Sequence, residues 1–511
     1  MLWGLALGLS LVPVASVSLA AADVLWARAM GGTSYDTGYG ISTLSDGSSI
    51  ATGRFTDSAD FGNGNLTSAG GYDVFVAKRD AAGSIVWVTT AGGTSSDEGM
   101  AISTLSDGSA IVTGKFWGAS ATFGNTTLTS AGNYDVFVAK LDAGGNWLWA
   151  TRGGGTSGDE GMAISALSDG SAIVSGYFQG TATFGSTTLT SAGAQDVFVA
   201  KIDASGNWLW ALQSGGISYD FGHAIGTLSD GSSIQTGRFT DSADFGGGPL
   251  TSAGGSDVFV AKRDADGSFL WVRIAGGTSN DGSYAISTLS DGSAIVAGYF
   301  IDTATFGSTT LTSAGSVDLF VAKIDALGNW LWATSAGGSS SQDSAKGVST
   351  LSDGSAIVTG GFGDAATFGS STTLTSIGSY DAFVAKIDAL GNWLWATSAG
   401  GTSGERGEAV STLSDGSPIV TGFFYETARF GATTLVSTGQ SDVFVAKFSS
   451  PPDSDNDGVS NADEVAAGTD PIDSDSIPVT EPPMPVTTLP TFAMLLLSLL
   501  LGLFGYRRLA H

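Results

Sequence analysis

Short apolar runs separated by polar turns fill most of this chain. One stretch shows the pattern: residues 99–105 (GMAISTL), 110–116 (AIVTGKF), 135–141 (DVFVAKL) and 146–151 (NWLWAT). Each run is rich in Val, Ile, Phe or Trp, or in small residues with Ile, and is bounded by Gly, Asp, Asn or Ser. That pattern predicts a β-strand. The runs are near-continuously apolar, which predicts sheets covered on both faces. Asp107-Gly108 separates the first two runs and predicts a tight hairpin, because Gly tolerates a positive φ. Residues 142–146 (DAGGN) predict a second hairpin with Gly in the left-handed region. The longer stretch 117–133 carries A-T-F-G and T-L-T-S-A-G and predicts a small hairpin of its own.

This set of runs repeats. The string D-[VLA]-F-V-A-K begins at Asp73, Asp135, Asp196, Asp257, Asp318, Asp381 and Asp442, with spacings of 62, 61, 61, 61, 63 and 61. L-S-D-G-S also occurs seven times, at Leu44, Leu105, Leu167, Leu228, Leu289, Leu351 and Leu413. A fixed period with weak divergence means one supersecondary unit stacked on itself. Four antiparallel strands per unit predict an all-β, seven-bladed β-propeller of four-stranded blades. Small residues suit the first run to the strand nearest the axis. Paired aromatics such as Trp147 and Trp149 suit the fourth run to the outer edge.

The ends of the repeat array predict how the ring closes. A Trp-bearing fourth strand at 23–32 (DVLWARAMGG) precedes the first D-G hairpin, while the last unit ends at 447–450 without one. Pairing the N-terminal strand with residues 442–448 completes the last blade and removes exposed sheet edges.

Composition narrows function more than fold. The formal net charge is −28 and charged residues make up only 13%, which argues against nucleic acid as a partner, since phosphates require Lys and Arg. Cysteine is absent, so neither disulfides nor thiol chemistry contribute.

The termini predict export. Residues 1–22 are apolar and end in small residues, and Ser18-Leu19-Ala20 and Ala20-Ala21-Ala22 both fit a signal-peptide cleavage site. After the ring at 23–450 comes a segment, 451–476, with EF-hand-type calcium spacing. Asp453, Asp455, Asp457, Asn461 and Glu464 occupy loop positions 1, 3, 5, 9 and 12, Gly458 sits at the sharp turn, and the Val459 carbonyl adds a sixth oxygen. A Pro-rich linker at 477–488 leads to an apolar run within 489–511, long enough for a transmembrane helix, followed by Arg507 and Arg508. The two arginines orient the C-terminus to the cytoplasm and the ring outside.

Three resemblances follow from these motifs. The ring unit, with its G-S-x-I-V-T-G-x-F, S-A-G-x-x-D-x-F-V-A-K and D-A-x-G strings, resembles the SBBP family of bacterial propeller repeats, whose members are mostly surface or secreted proteins without a known enzymatic role. The calcium segment resembles the thrombospondin type 3 and dockerin-like repeats of bacterial surface proteins. That resemblance implies that Asp470, Asp473 and Asp475 serve a second ion. The T-L-P, apolar, Arg-Arg tail resembles the IPTL-CTERM and PEP-CTERM sorting tails, which implies a sorting protease and delivery to the surface of a Gram-negative cell.

The repeats offer little catalytic chemistry. Only His223 and His511 exist, and His223 fills a slot held elsewhere by Tyr39, Met100, Met162, Tyr284 or Glu408, which favours a surface position over a catalytic one. Asp36, Asp97, Asp159, Asp220, Asp281, Asp343 and Glu405 precede the first strand of each unit; they either cap turns or form a cation-collecting ring. Tyr35, Trp117, Tyr134, Tyr219 and Tyr425 are expected as exposed, variable aromatics that stack on sugars or anchor a protein. The expectation is a non-enzymatic, surface-displayed binding or adhesion module with Ca²⁺ in its neck. Its partners are a surface glycan or protein ligand, the membrane through the C-terminal helix, and a sorting protease. A matrix component without a specific ligand and a secreted polysaccharide-degrading enzyme are the alternatives.

Overall fold

In the computed structural model, residues 22–339, 342–370 and 372–449 are described. The chain divides into two compact units, 1–452 and 453–511, and every described residue belongs to the first. The signal sequence up to residue 21, the calcium ligands, the linker, the tail and the length variation at Ser371 lie outside the described residues. No helix of the described residues is long and apolar enough to cross a membrane.

The described residues form an all-β propeller. The second unit shows the plan: strands Asp97–Thr104, Ala110–Trp117, Tyr134–Leu141 and Trp147–Gly155 pair in chain order as an antiparallel meander. The same pairing recurs in each of seven four-stranded groups. The D-G hairpins form as read: Gly108 has φ 84°, and Asp107 Oδ1 accepts the Ser109 N–H at 2.9 Å.

The first strands of the units lie side by side around the axis. Ser and Thr at their C-terminal ends stitch them into a circle. Ser42 Oγ meets Thr104 Oγ1 at 2.8 Å, the Ala166 N–H donates to Ser103 Oγ at 3.1 Å, and Ser165 Oγ meets Thr227 Oγ1 at 2.9 Å. Thr288 Oγ1 donates to the Thr227 carbonyl at 2.9 Å, Ser287 meets Thr350 at 2.9 Å, and Ser349 meets Thr412 at 2.9 Å. Thr43 Oγ1 meets Ser411 Oγ at 2.9 Å, which joins the last unit to the first. The N-terminal strand Val24–Gly32 closes the outside, antiparallel to Thr433–Phe448, in the register Val24↔Phe448 through Met30↔Val443.

Cohesion comes from apolar packing between neighbouring sheets. One buried cluster joins Ile50, Val74 and Val76 of the first unit to Val112, Phe116 and Phe137 of the second. The Trp residues of the outer strands lock neighbours together: the Trp87 indole donates to the Ala143 carbonyl at 3.0 Å, and Trp26 donates to Ala81 at 3.1 Å. The predicted small hairpin is Ala121–Phe123 with Thr126–Leu128. It pairs back onto the previous outer strand at Gly92 and Gly93, covering the end of an otherwise open edge.

Candidate functional site at the axial mouth

Each inner strand carries a β-bulge near its start, at the equivalent position in every unit. The pairing skips from Gly38 to Gly40, Gly99 to Ala101, Gly161 to Ala163, Gly222 to Ala224, Ser283 to Ala285, Ala345 to Gly347 and Gly407 to Ala409. The skipped residues are Tyr39, Met100, Met162, His223, Tyr284, Lys346 and Glu408. A bulge frees one residue from the ladder and re-aims its side chain. The repeats therefore place seven side chains of five kinds at one level of the axis.

Five of these form a continuous chain around the mouth. The His223 and Tyr284 rings lie 5.3 Å apart, and Lys346 Nζ stands 3.3 Å from the Tyr284 ring centroid. Glu408 raises and burial lowers the Lys346 pKa; burial wins and brings it to about 8. The Glu408 charge also acts on Tyr39 across the closure, although burial is the main reason the Tyr39 phenol lies above its ordinary value. The expected surface position of His223 is corrected here. It is partly buried, its Nδ1 lies 2.8 Å from the Ser283 carbonyl, and burial lowers its pKa to about 3, so it is neutral at physiological pH.

The next layer of side chains splits the mouth into two halves. In the first, Arg54 pairs with Glu98 at 3.2 Å, Lys115 pairs with Glu160 at 3.1 Å, and the Tyr177 hydroxyl donates to Glu160 at 2.7 Å. Charges there balance, two cations against two carboxylates. In the second half, Arg238 bonds the Tyr299 hydroxyl at 3.2 Å and Arg406 pairs with Glu408 at 2.5 Å. At the cross-strand pairs where other units carry bulky residues, this half has Gly282 opposite Tyr299 and Ser344 opposite Gly361. The missing bulk opens a cavity of about 750 Å³ lined by Tyr284, Tyr299, Lys346, Arg406, Phe423 and Tyr425 among others.

Of the acidic residues before the inner strands, Glu405 borders this cavity, while all of them are taken up in ties between units. Asp36 is fully buried; its Oδ2 accepts the Gly32 N–H at 2.7 Å and its Oδ1 the Thr56 N–H at 3.0 Å. Asp97, Asp159, Asp220 and Asp281 repeat this bridge from the preceding outer strand to their own second strand. Asp343 does the same through Gly338 and Gly363, and Glu405 accepts from Gly401. Of the two sequence readings, turn capping describes them, and they act as ties between units. Burial pushes the pKa of Asp36 up to about 6 and those of Asp97 and Asp159 to about 7.

Among the variable aromatics, Tyr35 and Tyr219 are exposed, whereas Trp117, Tyr134 and Tyr425 are partly buried. Trp117 packs on Tyr134 at 4.7 Å and lines a second hollow, of about 590 Å³, with Tyr72 and Asn133. Their partial burial comes from ring contacts within the rim, which spacing along the sequence does not reveal.

Comparisons bear on separate parts of the chain. Residues 453–474 match the bacterial TSP3 repeat. Over 84% of its length the chain is 25% identical to an uncharacterized WD repeat-containing protein, L264, of Acanthamoeba polyphaga mimivirus. Over 29% of its length it is 28% identical to the regulatory protein FlaEY of Caulobacter vibrioides. It spans 38% and 16% of the length of these curated relatives. The WD40 domain of Neurospora crassa Pan2 aligns with 80% of this chain and 88% of its own, at 11% identity and a TM-score of 0.39. The propeller assignment rests on the strand pairings described above.

Proposed function

We propose that this chain is an exported, surface-displayed, seven-bladed propeller without enzymatic activity. It acts as a binding or adhesion module that takes a glycan or protein at its axial mouth and loop-rich rim. One observation carries this reading: the bulge positions differ from unit to unit on one face, while Ser-Asp-Gly-Ser repeats in all seven hairpins of the other. Recognition needs diversity, and the mouth is where the repeats supply it.

The neck and the two ends complete the proposal. The loop from Asp453 to Glu464 supplies five side-chain oxygens and the Val459 carbonyl, a hard-oxygen set suited to Ca²⁺, and the bacterial TSP3 match covers it. The apolar run within 489–511 anchors the chain in a membrane or is removed by a sorting protease. Of the two signal cleavage sites, the one ending at Ala20 retains Ala22, which is buried in the same apolar cluster as Phe430 and Phe448. The test is a glycan and protein array probed with the full chain. Retention of a discrete ligand class is expected; a folded chain that retains nothing overturns the binding-module reading in favour of a matrix component without a specific ligand.

A further inference from the structure

We propose that the cavity in the second half of the mouth binds a carboxylated sugar, a uronate residue of an acidic oligosaccharide, with its carboxylate toward Lys346 and its ring against the flanking tyrosines. The inference rests on the reading of the mouth as the binding surface and names the ligand class.

Charge is the first argument. The chain as a whole is acidic, with a formal net charge of −28, yet Arg238, Lys346 and Arg406 converge on this half with Glu408 as the ion-paired carboxylate. Arg406 directs both Nε and Nη2 to Glu408 Oε1, at 2.7 and 2.5 Å. Arg238 is engaged with the neutral Tyr299 hydroxyl. Among the described residues Lys346 has no ion pair; its ammonium rests on the Tyr284 face. Two further acids border the cavity. Glu426 is exposed at the outer lip, and Glu405 holds the Gly401 N–H with one oxygen. Three cations thus meet three carboxyl groups, but Arg406 is taken by Glu408 and Glu405 is tied to the Gly401 N–H, which leaves Lys346 as a partly buried cation without an ion pair among the described residues; such a cation favours an incoming anion.

The walls supply the second argument. Val317 is the single aliphatic side chain lining the cavity; the rest is aromatic, hydroxyl, amide, glycine or charged. Such walls match a ligand that carries many hydroxyls and presents flat C–H faces. They match poorly an apolar peptide or an acyl chain. Tyr284 and Tyr299 stack on each other at 5.3 Å, and Phe423 meets Tyr425 edge-on at 5.7 Å, so rigid ring surfaces stand on both sides. A cavity of about 750 Å³ is within the ordinary range for small-ligand sites.

The experiment is calorimetric titration of the full chain at low salt with trigalacturonate, its carboxyl-reduced neutral counterpart, and hexaglutamate. Trigalacturonate is expected to bind, and the neutral trisaccharide at least about tenfold more weakly, as for loss of a charge-assisted contact. Lys346→Met, which keeps the alkyl stem over Tyr284, should weaken trigalacturonate about tenfold or more. Lys115→Met, in the balanced half, should not. Melting curves of both variants establish that each is folded, and Tyr425→Ala gives a second reading through lost ring contact. Equal affinity for the neutral sugar, or undiminished binding by Lys346→Met, overturns the anionic site and leaves a glycan-binding module standing. Tighter binding of hexaglutamate overturns the sugar assignment. No binding of trigalacturonate overturns the inference, and the binding-module reading falls with it only if the array is also blank.

Discussion

Asp36 and Asp442 each turn a carboxylate oxygen toward Gly31: a Cβ on that glycine would lie 2.9 Å from Asp36 Oδ2 and 2.5 Å from Asp442 Oδ1. The same convergence recurs at Gly92 with Asp73 and Asp97, at Gly154 with Asp135 and Asp159, and at Gly276 with Asp257 and Asp281. Oδ1 of Asp73, Asp135, Asp257 and Asp442 is buried with no hydrogen-bond partner among the described residues. Two carboxyl groups thus meet at the joints between units, shielded from water, and burial raises the pKa of Asp36, Asp73 and Asp442 to about 6.

These joints set a pH dependence. A carboxyl whose folded pKa exceeds its unfolded value holds a proton longer in the folded chain, so its contribution is present at low pH and lost as pH rises. Asp97, Asp159 and Glu405 reach about 7 and Asp220 and Asp281 about 6. Stability should therefore fall between about pH 4 and pH 7. His223, lowered to about 3, acts in the opposite direction but is a single group. The hairpin aspartates Asp46 and Asp107, lowered by bonds from Ser48 and Ser109, contribute above their unfolded pKa and lose that contribution in stronger acid. Thermal melts should give a higher Tm at pH 5 than at pH 8; the reverse order contradicts the account of the joints.

Gly92→Ala tests a joint sterically. Its Cβ would press on the Asp73 carboxylate at a φ of 159°. A loss of about 1–3 kcal/mol in denaturant unfolding is expected. Gly64→Ala, at φ 115° but with nothing within 4 Å, should cost less because only backbone strain remains.

Closure by the N-terminal strand is tested at Trp26, which is 8% exposed and donates to the Ala81 carbonyl. Trp26→Ala should destabilise the ring by about 3–5 kcal/mol. Removing residues 23–32 should additionally expose the edge of Thr433–Phe448 and promote association. A truncated ring that melts unchanged and stays monomeric contradicts the closure.

Calcium titration of the full chain should reveal an ion bound at about 0.1–1 mM, the range of extracellular modules, and lost in Asp455→Ala and Glu464→Gln. The melting of the ring should be the same with and without the ion, because apolar packing between its own neighbouring sheets, such as Ile50 and Val76 against Val112 and Phe137, holds it together.

Much of the ring was legible in the sequence because its signals are local. Asp-Gly at 107–108 fixes a hairpin, the orphan strand at 23–32 asks for the unpaired strand at 442–448, and A-T-F-G marks the small hairpin at 121–128. The candidate site was less legible. Tyr284, Lys346 and Glu408 occupy one slot of the repeat, but the slot faces the axis only because a bulge drops it from the ladder, and a register slip leaves no mark in apolar alternation. His223 was misplaced for the same reason. The available signal was variability itself: in a strand of otherwise small residues, one position changes from Met to Tyr, His, Lys and Glu. The cavity depended on something harder to read, the absence of bulk at Gly282 and Gly361 in neighbouring units.

The most direct measurement of the central claim compares Tyr425→Ala, on the diverse face, with Asp107→Ala, on the repetitive one, for affinity to the ligand retained on the array and for melting temperature. Tyr425→Ala should lose about tenfold or more in affinity with little change in Tm, as for an aromatic anchor in a binding site. Asp107→Ala should lower Tm and leave the folded fraction binding as before. Binding that survives Tyr425→Ala but is lost in folded Asp107→Ala would contradict the assignment of the axial mouth as the recognition surface.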